Sequence, residues 1–563
     1  MQTVRSIARM GVYFGGAYGA TRCGMGYYEY KADPEVELKV DRALRLWTVA
    51  APVVAHYRLV EAKHKWFKPA SKQVADGEWH DLDLLYSGKI LDLLRELKGM
   101  YVKYGQIGGS STNTFSKVWQ DKLRTLEDAV PAQHASVVLE TVRQEMGRDP
   151  AEIFSEFEEK PLGSASIGQV HRAVLRDSGE EVAVKIQYPD AQKLFMSDMA
   201  TIRQFFELCA PEQVIILAEL ERSLQNEFDY KVEAENLLEV RANMGSTFEH
   251  EAVVPRPFPD LCTRKMLVME MLEGPKLIDG LNKYGEEMAA AEGLSFAELR
   301  ARIEAEYDEH GFPAKYDGPS AKEIAMYNKW CTVKDGAANC AIWFYNRTYG
   351  WITGQRAEYW STTSPPNPPH LVDVLMRVHG DQLFRHGFFN ADPHPGNFLL
   401  LPDGRVGLID YGATKRLTRG ERLLSAVLYI ALAREDREMV FDICRNGGYK
   451  SKYMDEDIIY KMTKFGFDSI GRDVCGKKNV LQFIDECFAA DPWEETADNL
   501  IMVNMLSFRL RTVGMAMQHP VVCSKYWAPI AEQALIDEGL PYENWNLDLM
   551  QELTGHEIRM ASS

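Results

Sequence analysis

The chain is 563 residues long, with 46% apolar and 26% charged side chains, ordinary values for folded domains that allow a large core and exclude wholesale disorder. Its 82 acidic against 64 basic residues give a formal net charge of −18, which argues against a surface built to neutralise nucleic-acid phosphates, so any phosphate ligand needs a local device to hold it. Nine cysteines are scattered without a C-x-x-C pair, so reduced thiols are expected rather than a disulfide framework or a zinc site.

At the N-terminus, Met1 to Tyr28 carries Arg5, Arg9 and Arg22 with no acid before Glu29, the pattern of an organelle-targeting leader; a weakly membrane-associated terminus fits the same residues. The uncharged stretches Met10–Thr21 and Leu46–Tyr57 have twelve residues each, short of the roughly 20 that a spanning helix needs. From Ile90 to Tyr104 the apolar residues Ile90, Leu93, Leu94, Leu97, Tyr101 and Tyr104 follow the period of an amphipathic helix, expected to end near Gly105. There Lys103-Tyr-Gly-Gln106 sets a lysine and a glutamine three apart, able to point the same way. A further helix is expected over Ala135–Met146.

The stretch Gly163-Ser-Ala-Ser-Ile-Gly168-Gln-Val-His171 reads as a loop of small residues and hydroxyls through which backbone N–H groups can approach phosphate. Two strands follow, Val170–Leu175 and Glu181–Ile186, joined by the turn Asp177-Ser178-Gly179. Alternation in the second sends Val182, Val184 and Ile186 to one face and Ala183 and Lys185 to the other, so that a small residue and a cation face a common cleft suited to adenine and phosphates. Helices are expected over Ala191–Cys209 and Val214–Asn243, the second carrying Glu227-Phe-Asp229 and Glu233-Ala-Glu-Asn236. Asp229 and Glu233, four apart, would share a helix face, so one carboxylate can address Lys185; a solvated acidic helix is the competing reading. Lys265–Met271 reads as a short apolar strand.

Residues 275–370 are first charged and alanine-rich, then dense in aromatics (Trp330, Trp343, Phe344, Trp351, Trp360), and close on a proline-rich boundary. Beyond it lies Asn390-Ala-Asp-Pro-His-Pro-Gly-Asn397, then the strands Phe398–Leu401 and Val406–Ile409 around the turn Pro402-Asp403-Gly404, then Leu408-Ile-Asp-Tyr-Gly412. If the hairpin folds the chain back, Asp392, Asn397 and Asp410 come together as hard oxygen ligands suited to Mg²⁺. The five-residue step from Asp392 to Asn397 and the later Asp-aromatic-Gly match the catalytic and metal-binding loops of protein-kinase-like phosphotransferases. The remainder reads as helical nearly to the end.

Together these motifs resemble the UbiB family of aarF-domain-containing atypical kinases that support coenzyme Q and other prenylquinone metabolism, the decisive mark being Lys103-Tyr-Gly-Gln106 as that family's K-x-G-Q motif. The resemblance implies an α+β, bilobal protein-kinase-like fold: a targeting segment at 1–30, an N-terminal helical extension at 31–120, an N-lobe at 121–274, an insertion at 275–370, and a C-lobe with helical tail at 371–563. It implies ATP and Mg²⁺ as cofactors. Lys185 would orient the α- and β-phosphates and pair with Glu233, Asn397 and Asp410 would hold the metal, and Asp392 would take the catalytic-base position. Gly163, Ser164, Ala165 and Ser166 would form the nucleotide loop, and Met269 and Glu270 the adenine hinge. Glu227 and Asp229 would form the E-x-D motif, and Lys103 and Gln106 would lie over the cleft, where they disfavour ordinary protein phosphorylation. Asn390 stands where many members have His, Tyr411 where Phe is usual, and Gly163-Ser164 where two alanines are usual.

The implied activity is that of a kinase or ATPase serving quinone or lipid metabolism in an organelle, mitochondrion first and plastid second. A nucleotide-gated scaffold and a protein Ser/Thr kinase are the alternatives. Expected partners are a nucleotide, a lipid or quinone precursor, a peripheral membrane contact and a protein bound through 275–370, with no nucleic acid.

Overall fold

A computed structural model describes residues 34–67, 71–110, 116–126, 132–164, 167–189, 191–209, 228–310, 318–319, 321–360, 366–476, 480–495 and 500–555. The leader expected at 1–30, together with Ala165, Ser166 and Glu227, lies outside these residues. The chain divides into two compact units, the first Met1–Val232 with Phe258–Met269, the second Glu233–Pro257 with Glu270–Ser563.

In the first unit a five-stranded sheet has the order Phe154–Phe157, Gly168–Leu175, Glu181–Gln187, Met266–Glu270, with the two-residue strand Gly163–Ser164 paired to Gly168–Leu175. The hairpin turns at Gly179, whose φ of +68° lies in the left-handed region that glycine tolerates. Val182, Val184 and Ile186 are buried with Ala173, Leu175, Met266 and Val268 against Val138 and Val142 of the helix Ala135–Met146. Burying each large aliphatic side chain contributes about 1.5–3 kcal/mol. Gly168 to His171 belong to the strand rather than to a loop. Gln169 and His171 point into that same buried face, where Gln169 exchanges bonds with the Gln133 backbone and His171 Nδ1 bonds the Glu158 carbonyl at 2.7 Å. Burial lowers the His171 pKa and keeps the ring neutral.

The helices Pro34–Trp66, Lys72–Leu97, Gly99–Ser110 and Ala191–Cys209 share a core of Leu46, Ala50, Leu93, Leu97, Met100, Tyr101, Phe195 and Met199. Arg42 pins the first of them to the last through two hydrogen bonds to buried Asp198, at 2.8 and 2.6 Å. The helix expected to run from Ile90 to Gly105 is instead broken at Lys98 and Gly99, both with positive φ, and a new helix continues through Gly105 to Ser110. Gly105 marks close packing instead of an end: a Cβ there would lie 2.3 Å from Leu126 Cδ1.

The second unit holds the hairpin Phe398–Leu400 with Val406–Leu408, joined in parallel by Ala252–Val253, and a separate strand pair, Phe388–Asn390 with Thr414–Arg416. Behind them the helix Arg419–Arg434, opened by a Thr418–Glu421 capping box, is buried nearly all round and packs with Cys523–Asp537, which also packs with Pro368–Asp381. Trp527 is fully buried, its indole N–H donating to the Met376 carbonyl at 2.8 Å. The segment 275–370 contributes the helices Leu277–Ala291, Phe296–His310, Ala321–Arg347 and Tyr349–Thr353. Among the described residues no helix is long and apolar enough to cross a membrane, and the described cysteines from Cys262 to Cys523 are free thiols.

Candidate active site

In the first unit Lys185 lies on the sheet face opposite Val182, Val184 and Ile186, with Ala183 beside it. Its Nζ sits 5.0 Å from the centre of the Tyr230 ring, a cation–π contact that restrains the lysine where the strand presents it. Strand pairing sets Val170 opposite Lys185, and Gly168 follows at the edge. A Cβ at Gly168 would meet the Ile186 carbonyl at 2.4 Å and the Tyr230 hydroxyl at 2.8 Å, so only glycine lets Tyr230 approach. Gly163 and Ser164 form a short strand, and the Ser164 hydroxyl is engaged with that of Tyr188 at 2.6 Å. Lys103 is half-buried on the helix Gly99–Ser110, which also includes Gln106.

Met269 is the last residue of the first unit and Glu270 opens the long stretch of the second, so the chain changes unit where the hinge was expected. The Glu270 N–H donates to the Arg256 carbonyl at 2.8 Å, and its carboxylate accepts from the Arg256 N–H at 3.1 Å and lies 3.5 Å from Arg241. The Glu270 side chain thus serves the fold.

Asp229 and Glu233 do not share a helix face. The helix begins at Tyr230, and Asp229 precedes it, accepting from the Lys231 N–H at 3.1 Å as an Asx-type turn does. Glu233, in the first turn, is 2% exposed and belongs to the second unit. Three residues on, Asn236 donates to the Tyr411 carbonyl at 3.0 Å and to the Thr414 hydroxyl at 3.1 Å, fastening this helix to the Asp-Tyr-Gly segment. A Cβ at Gly412 would lie 3.4 Å from Asp410 Oδ1 and 3.5 Å from Glu233 Oε2, so the glycine sits beside both carboxylates. Asp410 Oδ1 accepts from the Gly412 N–H at 3.0 Å.

The hairpin brings the remaining oxygens into register. Phe398 pairs with Leu408, and the Asn397 carbonyl accepts from the Ile409 N–H at 3.1 Å, so Asn397 is set beside the segment that leads from the strand Val406–Leu408 to Asp410. His394 shapes the turn before it, its Nδ1 accepting from the Gly396 N–H. Asn390, in place of the family's histidine, is 4% exposed and acts as a clasp: its amide donates to the Asp410 carbonyl at 2.8 Å and its oxygen accepts from the Asp392 N–H at 2.9 Å. Tyr411 is buried at the position of the usual Phe, and its hydroxyl accepts from Gln382 at 2.9 Å. Burial raises the pKa of that phenol, which stays neutral.

One residue at this site carries no motif. Arg509, from the tail helix Ile501–Ala516, places Nε 3.4 Å from Asp392 Oδ1. A pair of arginines two apart in an otherwise uncharged helix, Arg509 and Arg511, is the trace it leaves in the sequence.

Chemically, Asp410 and Asn397 offer one carboxylate and one amide oxygen. Among the described residues no group of three His, Cys, Asp or Glu side chains could hold a metal unaided. That donor set fits Mg²⁺, which commonly takes one or two protein oxygens and completes its octahedron with phosphate and water.

Residues 125–303 and 348–444 match the family described as the ABC1 atypical kinase-like domain. The chain belongs to this UbiB or ABC1 family. It is similar to AarF domain-containing protein kinase 1 of Xenopus tropicalis, at 25% identity over 62% of this chain and 54% of the relative. An aarF domain-containing protein kinase of Arabidopsis thaliana, named as chloroplastic, is 26% identical over 58% of this chain and 35% of its own length. A probable protein kinase UbiB of Shewanella piezotolerans is 26% identical over 40% of each chain. The ABC1 chain thus spans about half or less of these three relatives. Its mixed, helix-rich architecture with small sheets is the α+β kinase-like fold of the family.

Proposed function

We propose that this ABC1 chain is an ATP- and Mg²⁺-dependent atypical kinase or ATPase serving quinone or lipid metabolism in an organelle, the mitochondrion or the plastid. The observation that carries the reading is the hairpin that sets Asn397 beside the segment running from its second strand to Asp410, with buried Glu233 alongside and Asp392 clasped to the same backbone by Asn390. The UbiB name of a bacterial relative and the chloroplastic name of a plant one support the metabolic and organellar parts.

In this reading Asp410 and Asn397 would hold the metal, which would supply charge neutralisation to the bound phosphates. Lys185 adds a fixed cation toward the phosphates, and Asp392 orients the attacking hydroxyl or water and accepts its proton. Positioning and charge stabilisation account for most phosphoryl-transfer catalysis. Asp410→Asn should therefore lower Mg²⁺-dependent ATP turnover by at least about a hundredfold, the order seen when a charge-stabilising group is removed. The purified variant should keep the parent melting temperature; equal hydrolysis by parent and variant would sink the assignment.

The contact from Arg509 to Asp392 favours one second reading, a nucleotide-gated scaffold, because a carboxylate that faces a guanidinium within the fold is less open to an attacking hydroxyl or water. Calorimetric ATP binding with no turnover in the presence of membranes or phenolic quinone precursors would select the scaffold. Stimulated turnover would select the enzyme.

A further inference from the structure

The family match passes over residues 304–347, and most of that stretch is the helix Ala321–Arg347. Its inward side is narrow. Cys331 is buried, and half-buried Ile324, Asp335, Ala338 and Ile342 lie within about 40° of it at 100° per residue. On the opposite side Met326, Trp330, Val333, Ala337, Cys340 and Phe344 recur at alternating steps of four and three residues, and all are exposed. Met326 is 72% exposed, Val333 67% and Phe344 66%, and Trp351 and Ile352 of the next short helix are 75% and 76% exposed. Folded chains seldom group large apolar side chains in solvent unless something covers them.

The face is built, not frayed. Asn339 and Asn346, seven apart on one side of the helix, each exchange two hydrogen bonds with the backbone of the following segment, at Trp360 (2.8 and 2.6 Å) and Ala357 (2.8 and 2.7 Å). This strap brings Trp360 back beside the helix, where Lys334 Nζ lies 5.2 Å from the centre of the Trp330 ring and 5.3 Å from that of Trp360. Arg347 stacks over Trp343 in the same way, at 5.2 Å.

Charge decides what covers the face. Lys322, Lys329 and Arg347 line one edge of the apolar stripe and Lys334 the other, while of the two acids Glu323 lies at an edge and Asp335 turns inward. The helix thus carries four cations against two anions on a chain of net charge −18. A second copy packed along the same four-three seam would bring Lys329 and Lys334 against their like, which disfavours self-association. Tryptophan and tyrosine bordered by lysine and arginine are instead the side chains that settle at the headgroup level of a bilayer and pair with its phosphates.

We propose that this helix face docks the chain on the surface of an anionic lipid bilayer, Met326, Trp330, Val333 and Phe344 entering the headgroup region while Lys329, Lys334 and Arg347 meet lipid phosphates. The inference stands apart from the nucleotide reading. Its test uses the full chain in flotation with vesicles of phosphatidylcholine alone and of phosphatidylcholine with 30% phosphatidylglycerol. Binding should be at least about tenfold tighter to the anionic vesicles and should weaken as salt rises. The variant Lys329→Glu, Lys334→Glu, Arg347→Glu should lose that preference, and Trp330→Ala, Phe344→Ala, Trp351→Ala should cease to float, both with parental melting temperatures.

A solvent-sensitive fluorophore on exposed Cys340 should shift to the blue on anionic vesicles only, a response that the Cys340→Ser chain labelled in parallel lacks. Parental flotation by the aromatic variant would overturn the proposal. So would a Cys340 signal that grows with protein concentration without lipid, accompanied by dimer in sedimentation, which would assign the face to a second copy.

Discussion

At the scale of single residues, Asp392 is addressed by one side chain of its own motif and by one from the distant tail. Asn390 fixes its backbone through the Asp392 N–H, and Arg509 meets its carboxylate. If Arg509 positions Asp392 for proton transfer, Arg509→Gln should lower kcat of ATP turnover about ten- to a hundredfold, the range a small misplacement can reach, while leaving KM for ATP near the parent value. Arg509→Lys should recover part of the loss, and an unchanged kcat would remove Arg509 from the mechanism. His379 offers a pH test. It is fully buried, its Nδ1 bonds the Leu375 carbonyl at 2.8 Å, and burial lowers its pKa to about 4. The unfolded chain, with an ordinary imidazole near 6.5, binds this proton first, so stability is constant above that value and falls as pH drops toward 4. The contribution is of order 3 kcal/mol, and His379→Phe should flatten that segment of the stability curve measured by urea denaturation at pH 7 and pH 5.

The residue types were legible where they form a local pattern. Lys185 followed from strand alternation, and Asn397 and Asp410 from a hairpin with turn chemistry, since all lie within a few residues of the turns that place them. Arg509, Tyr230 and Gln382 were not legible, because each reaches its partner from an element distant in sequence and leaves no spacing to read.

At the scale of elements, type was easier to read than extent. The Ala135–Met146 and Ala191–Cys209 helices and the strand pair around Gly179 follow their hydrophobic periods. The break at Lys98–Gly99 does not: the apolar spacing runs on across it, and the backbone reversal of hand is a local event that periodicity cannot register. Similarly, Asp229 lies in a stretch read as helix from its spacing but is spent on the turn that starts the helix. How the N-terminal helices are held is testable. Arg42→Met would leave Asp198, whose side chain is 1% exposed, charged and unpaired, and should cost about 3 kcal/mol in urea unfolding. The double variant Arg42→Met, Asp198→Leu should recover much of it; full stability in the single variant would show that the pair contributes nothing.

At the scale of the whole molecule, the sequence motifs pointed to the kinase-like family, and the family match supports it. The division into two units was less legible. Residues 233–257 join the second unit through the parallel pairing of Ala252–Val253 with Val406–Leu408, a contact between segments too far apart for any local signal. The tail is read as helices without roles, yet it is locked at its centre. Arg511 donates to the Phe465 and Gly466 carbonyls at the end of the helix Glu456–Phe467, and Asp468 accepts from the Ser524 N–H at the start of the helix Cys523–Asp537. A cation at a helix C-terminus and an anion at an N-terminus each complement the helix dipole.

The Arg509–Asp392 contact has a temporal side as well. The helix that carries Arg509 is locked by Arg511 and by the Cys523–Asp537 helix, the next to last of the described chain. During synthesis the segments bearing Lys185, Asn397 and Asp410 emerge well before it, so a nascent chain possesses the groups proposed to face phosphate and metal while Asp392 still lacks its arginine. Emergence of the helix Ile501–Ala516, rather than completion of the hairpin, is then the event that gives Asp392 its arginine.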